Sequence, residues 1–238
     1  MKCSINQPTY LPWIGYFNLI YNSDVFVFLD HVQYEKNEWI NRNKIKTPNG
    51  FLYLTVPIKT KGKSVQSILD AEIDRSKDFK RNHLKAIRIN YNKARFFNEF
   101  YGIFEEAYEK EWTFINDLNI YLIKKMLEVF GINREIIRSS ELSVSGAKTD
   151  LVINILKSVK ADHYISNLGS KNYLNEDEFK KNNIKLEYHN YSLSHPQYPQ
   201  MYGEFIPFLS IIDLLFNCGK EGTRYIINNN IIMTNYDG

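Results

Sequence analysis

Five consecutive apolar residues, Val25-Phe26-Val27-Phe28-Leu29, stand between Asp24 and Asp30. A strand with one wet face alternates apolar and polar residues, whereas a strand covered on both faces need not. Val and Phe also suit the pleated surface of a sheet. The run therefore reads as an interior strand of a parallel sheet with helices on both sides. The residues before it agree. Residues 2–5 read as a short strand, Pro8 and Pro12 break the chain, and Trp13–Tyr21 has helical periodicity. Strand, Pro-containing loop, helix and strand make a βαβ unit. In such a sheet ligands bind beyond the carboxyl ends of the strands, where the strand order reverses.

The rest of the chain continues the alternation. Trp39–Lys46 and Phe51–Ile58 read as a β-hairpin about Pro48-Asn49-Gly50, since Asn-Gly suits a tight turn. Residues 76–130 are helical in pattern, with breaks near Asn92 and Trp112 giving three helices. Further strands are expected at Glu135–Arg138, Ala161–Ile165 and Ile184–Tyr188. Helices are expected at Asp150–Val159, with Thr149 as the cap, and at 175–181. Two more are expected at Leu209–Asn217, ended by Gly219, and at Glu221–Ile227. The expected fold is α/β: a mostly parallel, open, nucleotidylyltransferase/Rossmann-like sheet with a β-hairpin and a helical insert. One domain over 1–238 with a mainly helical insert at about 76–130 is the expected organisation.

Composition narrows the function. A net charge of +3 on 238 residues is too weak for a nucleic-acid binder. Lys59, Lys61 and Lys63 form a small basic cluster that reads as a solvated loop. Cys3 and Cys218 lie at opposite ends of the chain and fit no metal spacing. Without a visible signal peptide they are expected to be thiols of a cytoplasmic protein. The apolar stretch Phe205–Phe216 is too short to span a bilayer and carries Asp213, so it reads as a buried helix. Aromatic residues reach 15%, which suits either a groove for nucleosides and sugars or an ordinary core.

Four polar clusters are candidates for chemistry. In the first, Gln7, Tyr10, Trp13 and Tyr16 occupy the Pro-containing loop and the start of the helix after it, where free N–H groups favour anions. The aromatic members fit a core equally well. The second holds Asp30, His31, Gln33, Trp39, Asn41, Arg42 and Asn43. Here Arg42 can clamp a phosphate or carboxylate, and His31 can act as a base near neutrality. The third, Ser166, Asn167, Ser170 and Tyr173, is a polar loop suited to phosphate or sugar contacts. The fourth holds His189, then His195, Tyr198 and Gln200 around Pro196 and Pro199, followed by Asp213 inside an apolar helix; His189 and His195, six apart, make a poor metal site alone. His195 is the expected acid/base group, with Asp213 as its orienting partner and His31 as the next candidate. Each of these residues also has an ordinary structural reading as a hydrogen-bonded or core side chain. No metal site, catalytic cysteine, Gly-x-Ser-x-Gly elbow or dinucleotide glycine fingerprint is present in the sequence.

Two resemblances follow from these residues. The entry through Trp13-Ile14-Gly15-Tyr16 is similar to that of the nucleotidylyltransferase superfamily, but Trp13 and Tyr16 stand where that superfamily has histidines. More extensively, three stretches resemble the WbqC-like family: Gln7 to Phe17, Asp24 to Tyr34, and Trp39-Ile40-Asn41-Arg42-Asn43. So do Tyr164-Ile165-Ser166 with the Gly169 loop, His195 to Gln200, and Pro207 to Asn217. That resemblance implies an enzyme of bacterial surface-glycan biosynthesis, such as O-antigen and lipopolysaccharide, flagellar or capsular sugar pathways. It implies an acyl- or aminoacyl-transferase, for example glycyl, acting on the amino group of a nucleotide-linked amino sugar. The donor stays open between a carrier-protein or CoA thioester and ATP-derived adenylate. An acyl carrier protein and a homo-oligomer stay open as partners. An ATP-using nucleotidyl or adenylate-forming enzyme and a non-catalytic nucleotide-sugar binding protein are the alternatives.

Overall fold

The apolar run is β2 (Val25–Phe28), and all four of its side chains are buried. The computed structural model describes residues 1–62, 65–191 and 195–227, and the backbone of 233–235. Lys63 of the basic cluster lies outside the described residues. Beside β2 lie β1 (Lys2–Asn6) and β5 (Glu135–Arg138), both parallel to it. On the other side of β1 come β6 (His163–Asn167) and β7 (Lys185–His189), again parallel. The edge strand β8 (Met233–Asn235) pairs antiparallel with β7. The sheet order is β5-β2-β1-β6-β7-β8. From β1 the chain builds outward to β2 and β5, then crosses back to build β6 and β7 on the other side. The switch point therefore lies between β1 and β6. Sequence reading has no strand past Ile227, so β8 is an addition to the expected sheet.

The two faces of β2 explain its unbroken apolar run. Phe26 and Phe28 face a core shared with α1 (Ile14–Tyr21), α7 (Ile211–Cys218) and the three helices between the hairpin and β5. Val25 and Val27 face a second core with Cys3, Ile5, α5 (Lys148–Ser158) and α6 (Glu176–Lys181). Each fully buried side chain of this size contributes ~1.5–3 kcal/mol. The three intervening helices are α2 (Phe79–Tyr91), α3 (Phe97–Glu109) and α4 (Ile115–Val129), with breaks near Asn92 and Trp112. The hairpin is β3 (Arg42–Thr47) and β4 (Gly50–Thr55), in register Thr47 to Gly50. Gly50 takes φ +116°, open to glycine but strained for other residues.

Local chemistry sets two helix ends differently from the expectation. Ala147, not Thr149, is the residue before α5, and the Thr149 hydroxyl instead accepts the backbone N–H of Asn175 at 2.9 Å. α7 starts at Ile211 rather than about Leu209, with Ser210 as its cap, the hydroxyl accepting from the Ile212 N–H. Gly219 does end α7, at φ +58°, where an added Cβ would come within 2.8 Å of the Phe96 ring. The short α8 (Thr223–Ile226) follows and packs on α1. Cys3 and Cys218 are both free and buried, and burial pushes their thiols up to about 12 and about 11. Among the described residues no helix is long and apolar enough to cross a membrane.

Candidate functional site

The loop leaving β1 is held from several directions. Asn43 on β3 donates its amide to the carbonyls of Tyr10 and Leu11, at 3.2 and 2.8 Å. Asn119 on α4 donates to Pro8 and Ile40 carbonyls at 2.8 and 2.7 Å. The Tyr16 hydroxyl donates to the Gln7 carbonyl at 3.0 Å, and the Tyr10 N–H to the Trp39 carbonyl at 2.9 Å. Pro8 and Pro12 remove further freedom. The Trp13 indole lies over Gly15, where an added Cβ would sit 2.3 Å from the ring. Gly15 is thus a seat for the indole as well as part of the first turn of α1.

A cavity of about 500 Å³ opens at the switch point between this loop and the one after β6. Asn6, Gln7 and Asn167 stand on it at the strand ends, with Asn43 from the hairpin. Trp13, Trp39, Tyr191 and Phe208 supply aromatic faces, and Glu35 and Glu38 supply carboxylates. The rings support one another: Trp13 meets Tyr191 and Phe208 edge-on, with centroids 5.6 and 5.2 Å apart. Trp39 is 44% exposed and so forms an open part of the wall. The N-terminus of α1 points here, adding the positive end of its dipole.

His189, at the end of β7, also lines the cavity. Its Nε2 donates to Asn18 Oδ1, because the Asn18 amide nitrogen is committed to the Ile226 carbonyl. That fixes Nδ1 as the unprotonated nitrogen, and no hydrogen bond engages it among the described residues. Burial pushes the imidazole pKa down to about 4, so the ring is neutral at pH 7. A neutral imidazole with a free lone pair can accept a hydrogen bond or a proton from a bound group.

Of the residues singled out by sequence, Gln7, Trp13, Tyr16, Trp39, Asn43 and Asn167 meet at this cavity. The others do not converge there. Tyr10 is fully buried, bonded to His83 Nδ1 at 2.8 Å and to the Tyr108 hydroxyl. Asp30 is fully buried and bonds Arg138 at 2.8 Å, Ser139, and both the N–H and hydroxyl of Ser140. It ties the ends of β2 and β5 together. Its neighbour His31 is bonded to Ser139 Oγ at 2.6 Å. Gln33 forms an isolated bridge with Ser67, and the Arg42 guanidinium lies over the Tyr53 ring at 4.7 Å. Asn41 donates to the Val56 carbonyl at 2.9 Å and faces a different cavity. Ser166 and Ser170 are buried and bond each other at 2.5 Å, while Tyr173 is exposed.

The expected pairing of His195 with Asp213 is not formed. His195 Nδ1 donates to the Pro196 carbonyl at 3.0 Å, and Nε2 accepts the Phe208 N–H at 3.2 Å. Both nitrogens hold backbone, and the ring stacks on Trp13 at 5.9 Å. His195 therefore supports the aromatic wall from behind. Asp213 is fully buried and accepts from the Tyr91 hydroxyl at 2.9 Å. Tyr198 and Gln200 approach its carboxyl, yet Oδ2 has no partner within hydrogen-bonding distance among the described residues. Gln200 instead accepts from Lys46 Nζ and the Ile206 N–H, both at 2.9 Å. Asn6, Glu35, Glu38, Tyr191 and Phe208 also line the cavity and are not among the sequence candidates, whereas His189 is one, read there with His195 as a poor metal pair. His189 ends a strand next to a polar loop, which was its one readable signal. Among the described residues no group of three or more His, Cys, Asp or Glu side chains is placed to hold a metal ion.

The fold and site together define a doubly wound α/β protein with a cavity at its switch point. The WbqC-like protein family model matches residues 7–225, and the chain belongs to that family. It is 34% identical over 226 residues to a Mycobacterium tuberculosis protein described as "Uncharacterized protein Rv1507c", covering 94% of this chain and 97% of that one. No solved structure matches the chain.

Proposed function

We propose that the chain is a transferase of surface-glycan biosynthesis. It moves an acyl or aminoacyl group, glycyl for example, onto the amino group of a nucleotide-linked amino sugar. The observation that carries this reading is the grouping at one cavity of aromatic faces, two carboxylates and a neutral imidazole. A nucleobase stacks on exposed rings such as Trp39. The N-terminus of α1 favours the diphosphate. Glu35 and Glu38 complement a sugar ammonium, and hydrogen-bonding amides at Gln7, Asn43 and Asn167 suit sugar hydroxyls. In the reaction Glu35 or Glu38 first takes one proton from the ammonium, the neutral amine nitrogen attacks the acyl carbon, the donor's thiolate or adenylate phosphate leaves, and the nitrogen gives up a second proton. His189 Nδ1 is the group we assign to accept it.

Titration calorimetry with thymidine- and uridine-diphosphate amino sugars tests the substrate. Affinity should fall when a hydroxyl replaces the amine and when Glu35→Gln and Glu38→Gln are combined. Acylation, read as a mass increase on the amine, should proceed with a thioester or an ATP-dependent donor. His189→Gln should lower turnover ~10²–10⁴-fold without lowering nucleotide-sugar affinity. Nucleotide-sugar binding without the amine preference, or full turnover in a folded His189→Gln protein, would overturn the reading.

A further inference from the structure

The hairpin leaves one edge of β4 without a partner. On β3 the Lys46 N–H donates to the Tyr91 hydroxyl at 2.9 Å, and the Lys44 carbonyl accepts the Ser210 N–H at 2.9 Å. The main-chain groups of Lys44 and Lys46 therefore point away from β4. In an antiparallel ladder, residues directly opposite each other exchange both bonds or neither. Lys44 lies opposite Tyr53 and Lys46 opposite Phe51. The N–H and C=O groups of Phe51 and Tyr53 thus point outward from the free edge of β4. Thr55 agrees, since its carbonyl accepts from His83 Nε2 at 3.1 Å, outside the hairpin. Among the described residues nothing engages the main-chain groups of Phe51 or Tyr53.

This edge lacks the usual guards. Exposed edges are normally blunted by charged side chains, proline or a bulge. β4 reads Gly-Phe-Leu-Tyr-Leu-Thr and pairs with β3 residue for residue, so it has none of these. Phe51 and Tyr53 are 49% and 43% exposed. Lys44 lies over the Phe51 ring and Arg42 over the Tyr53 ring, both from β3, one strand behind the edge.

The spacing of the open groups selects the occupant. Phe51 and Tyr53 flank Leu52. A second β4, run antiparallel about a two-fold axis at Leu52, sets Phe51 of each copy opposite Tyr53 of the other. Each open N–H then meets an open C=O, and each exposed ring gains a ring across the join. Self-pairing of a charged strand sets like charges near each other, and β4 carries no charge. Lys44 and its counterpart in the other copy would stand about 14 Å apart at the backbone, three strand spacings, beyond the Debye length of ~8 Å at physiological salt.

We infer that β4 is a dimerisation edge, through which two copies of this chain join their hairpins into one antiparallel sheet. The pairing is isologous, so it closes at the dimer. The inference does not depend on the transferase reading, because it uses none of the switch-point chemistry.

Sedimentation equilibrium of the full chain at ~1 to ~500 μM tests it, a range suited to a short interface. The mass should rise from 28.2 kDa toward twice that value and stop there. Phe51→Lys combined with Tyr53→Lys should raise the dissociation constant at least ~10-fold, since lysine then faces lysine across the join. Phe51→Glu combined with Tyr53→Glu should do the same alone, and an equimolar mixture of the two double variants should recover the dimer. That recovery requires β4 to meet β4. Both positions are exposed, so circular dichroism should show each variant folded. In the unsubstituted protein the Phe51 and Tyr53 amides should gain protection from hydrogen exchange as concentration rises, a reading that needs no variant. A mass of 28.2 kDa at every concentration overturns the inference. So does a dimer that both charged variants leave intact, or one in which these amides stay unprotected. A mass that grows past two copies also overturns it, because it marks head-to-tail pairing of β4 with a different edge.

Discussion

Asp30 and Asp213 are both fully buried, yet their surroundings drive them in opposite directions. Burial works to raise the pKa of each. At Asp30 the Arg138 guanidinium, the Ser140 hydroxyl and the Ser140 N–H together outweigh it, and the carboxyl is held below the usual range. At Asp213 burial wins over Tyr91 and the more distant Lys46, and the carboxyl rises to about 6. Neither has exposed surface, but Asp213 lies deeper, and Asp30 has more donors within reach, one of them charged. A buried aspartate flagged by sequence is therefore not one kind of residue: Asp30 is an ionised clamp, and Asp213 is a carboxyl with one oxygen left over.

The largest test of that contrast is Asp30→Ala. It leaves Arg138 without its buried partner and unties the ends of β2 and β5. Loss of ~3–5 kcal/mol is expected, the range for breaking a buried pair, read from urea unfolding at pH 7. A loss below ~1 kcal/mol, no more than an exposed pair is worth, would break the comparison.

The second test uses pH. A carboxyl whose folded pKa is lowered contributes stability above its unfolded pKa and loses it as pH falls through the folded value, so Asp30 makes the protein acid-labile. Asp213 has the reverse sign. Its folded pKa of about 6 lies above the ordinary 3.8, so between those values the folded state holds a proton that the unfolded state has lost. Stability then declines as pH rises across that window, by ~3 kcal/mol for two units. Asp213→Asn should flatten the decline and leave the protein more stable at pH 7. Unfolding midpoints from pH 4 to 7 for both proteins measure it. Parallel curves would show that Asp213 titrates normally.

The smallest effect concerns the partner that Asp213 lacks. His195→Gln removes two backbone contacts of a half-buried ring and should cost ~1 kcal/mol. Turnover should fall only as far as stability does. A ~10²-fold loss of turnover at unchanged melting temperature would restore the acid/base role that sequence suggests and place Asp213 beside it in function.

Much of the architecture was readable because it repeats. The Val25–Leu29 run, the strand at Glu135–Arg138 and the three helices with breaks near Asn92 and Trp112 carry their own periodicity. Strand β8 was missed because it is short and lies past the last helix. The cavity was readable in the loops next to the strands and in the Pro-containing entry, as at Gln7, Asn43 and Asn167 and at Trp13, Tyr16 and Trp39. Asp30, Tyr10 and Arg42 look equally reactive in sequence. Their partners, Arg138, His83 and Tyr53, come from other elements and absorb their polarity. His189 shows the reverse: sequence does not reveal that Asn18 claims one nitrogen and leaves the other free.

Residues 34–41 form a partition with a cavity on each side. Glu35, Glu38, Trp39 and Ile40 border the switch-point cavity, while Tyr34, Lys36, Asn37 and Asn41 border the one at α2. Its inner face is acidic and its outer face basic. A ligand that shifts this segment to improve its own contacts alters the opposite wall at the same time. Any movement of residues 34–41 at one cavity is therefore also a change in the wall of the other.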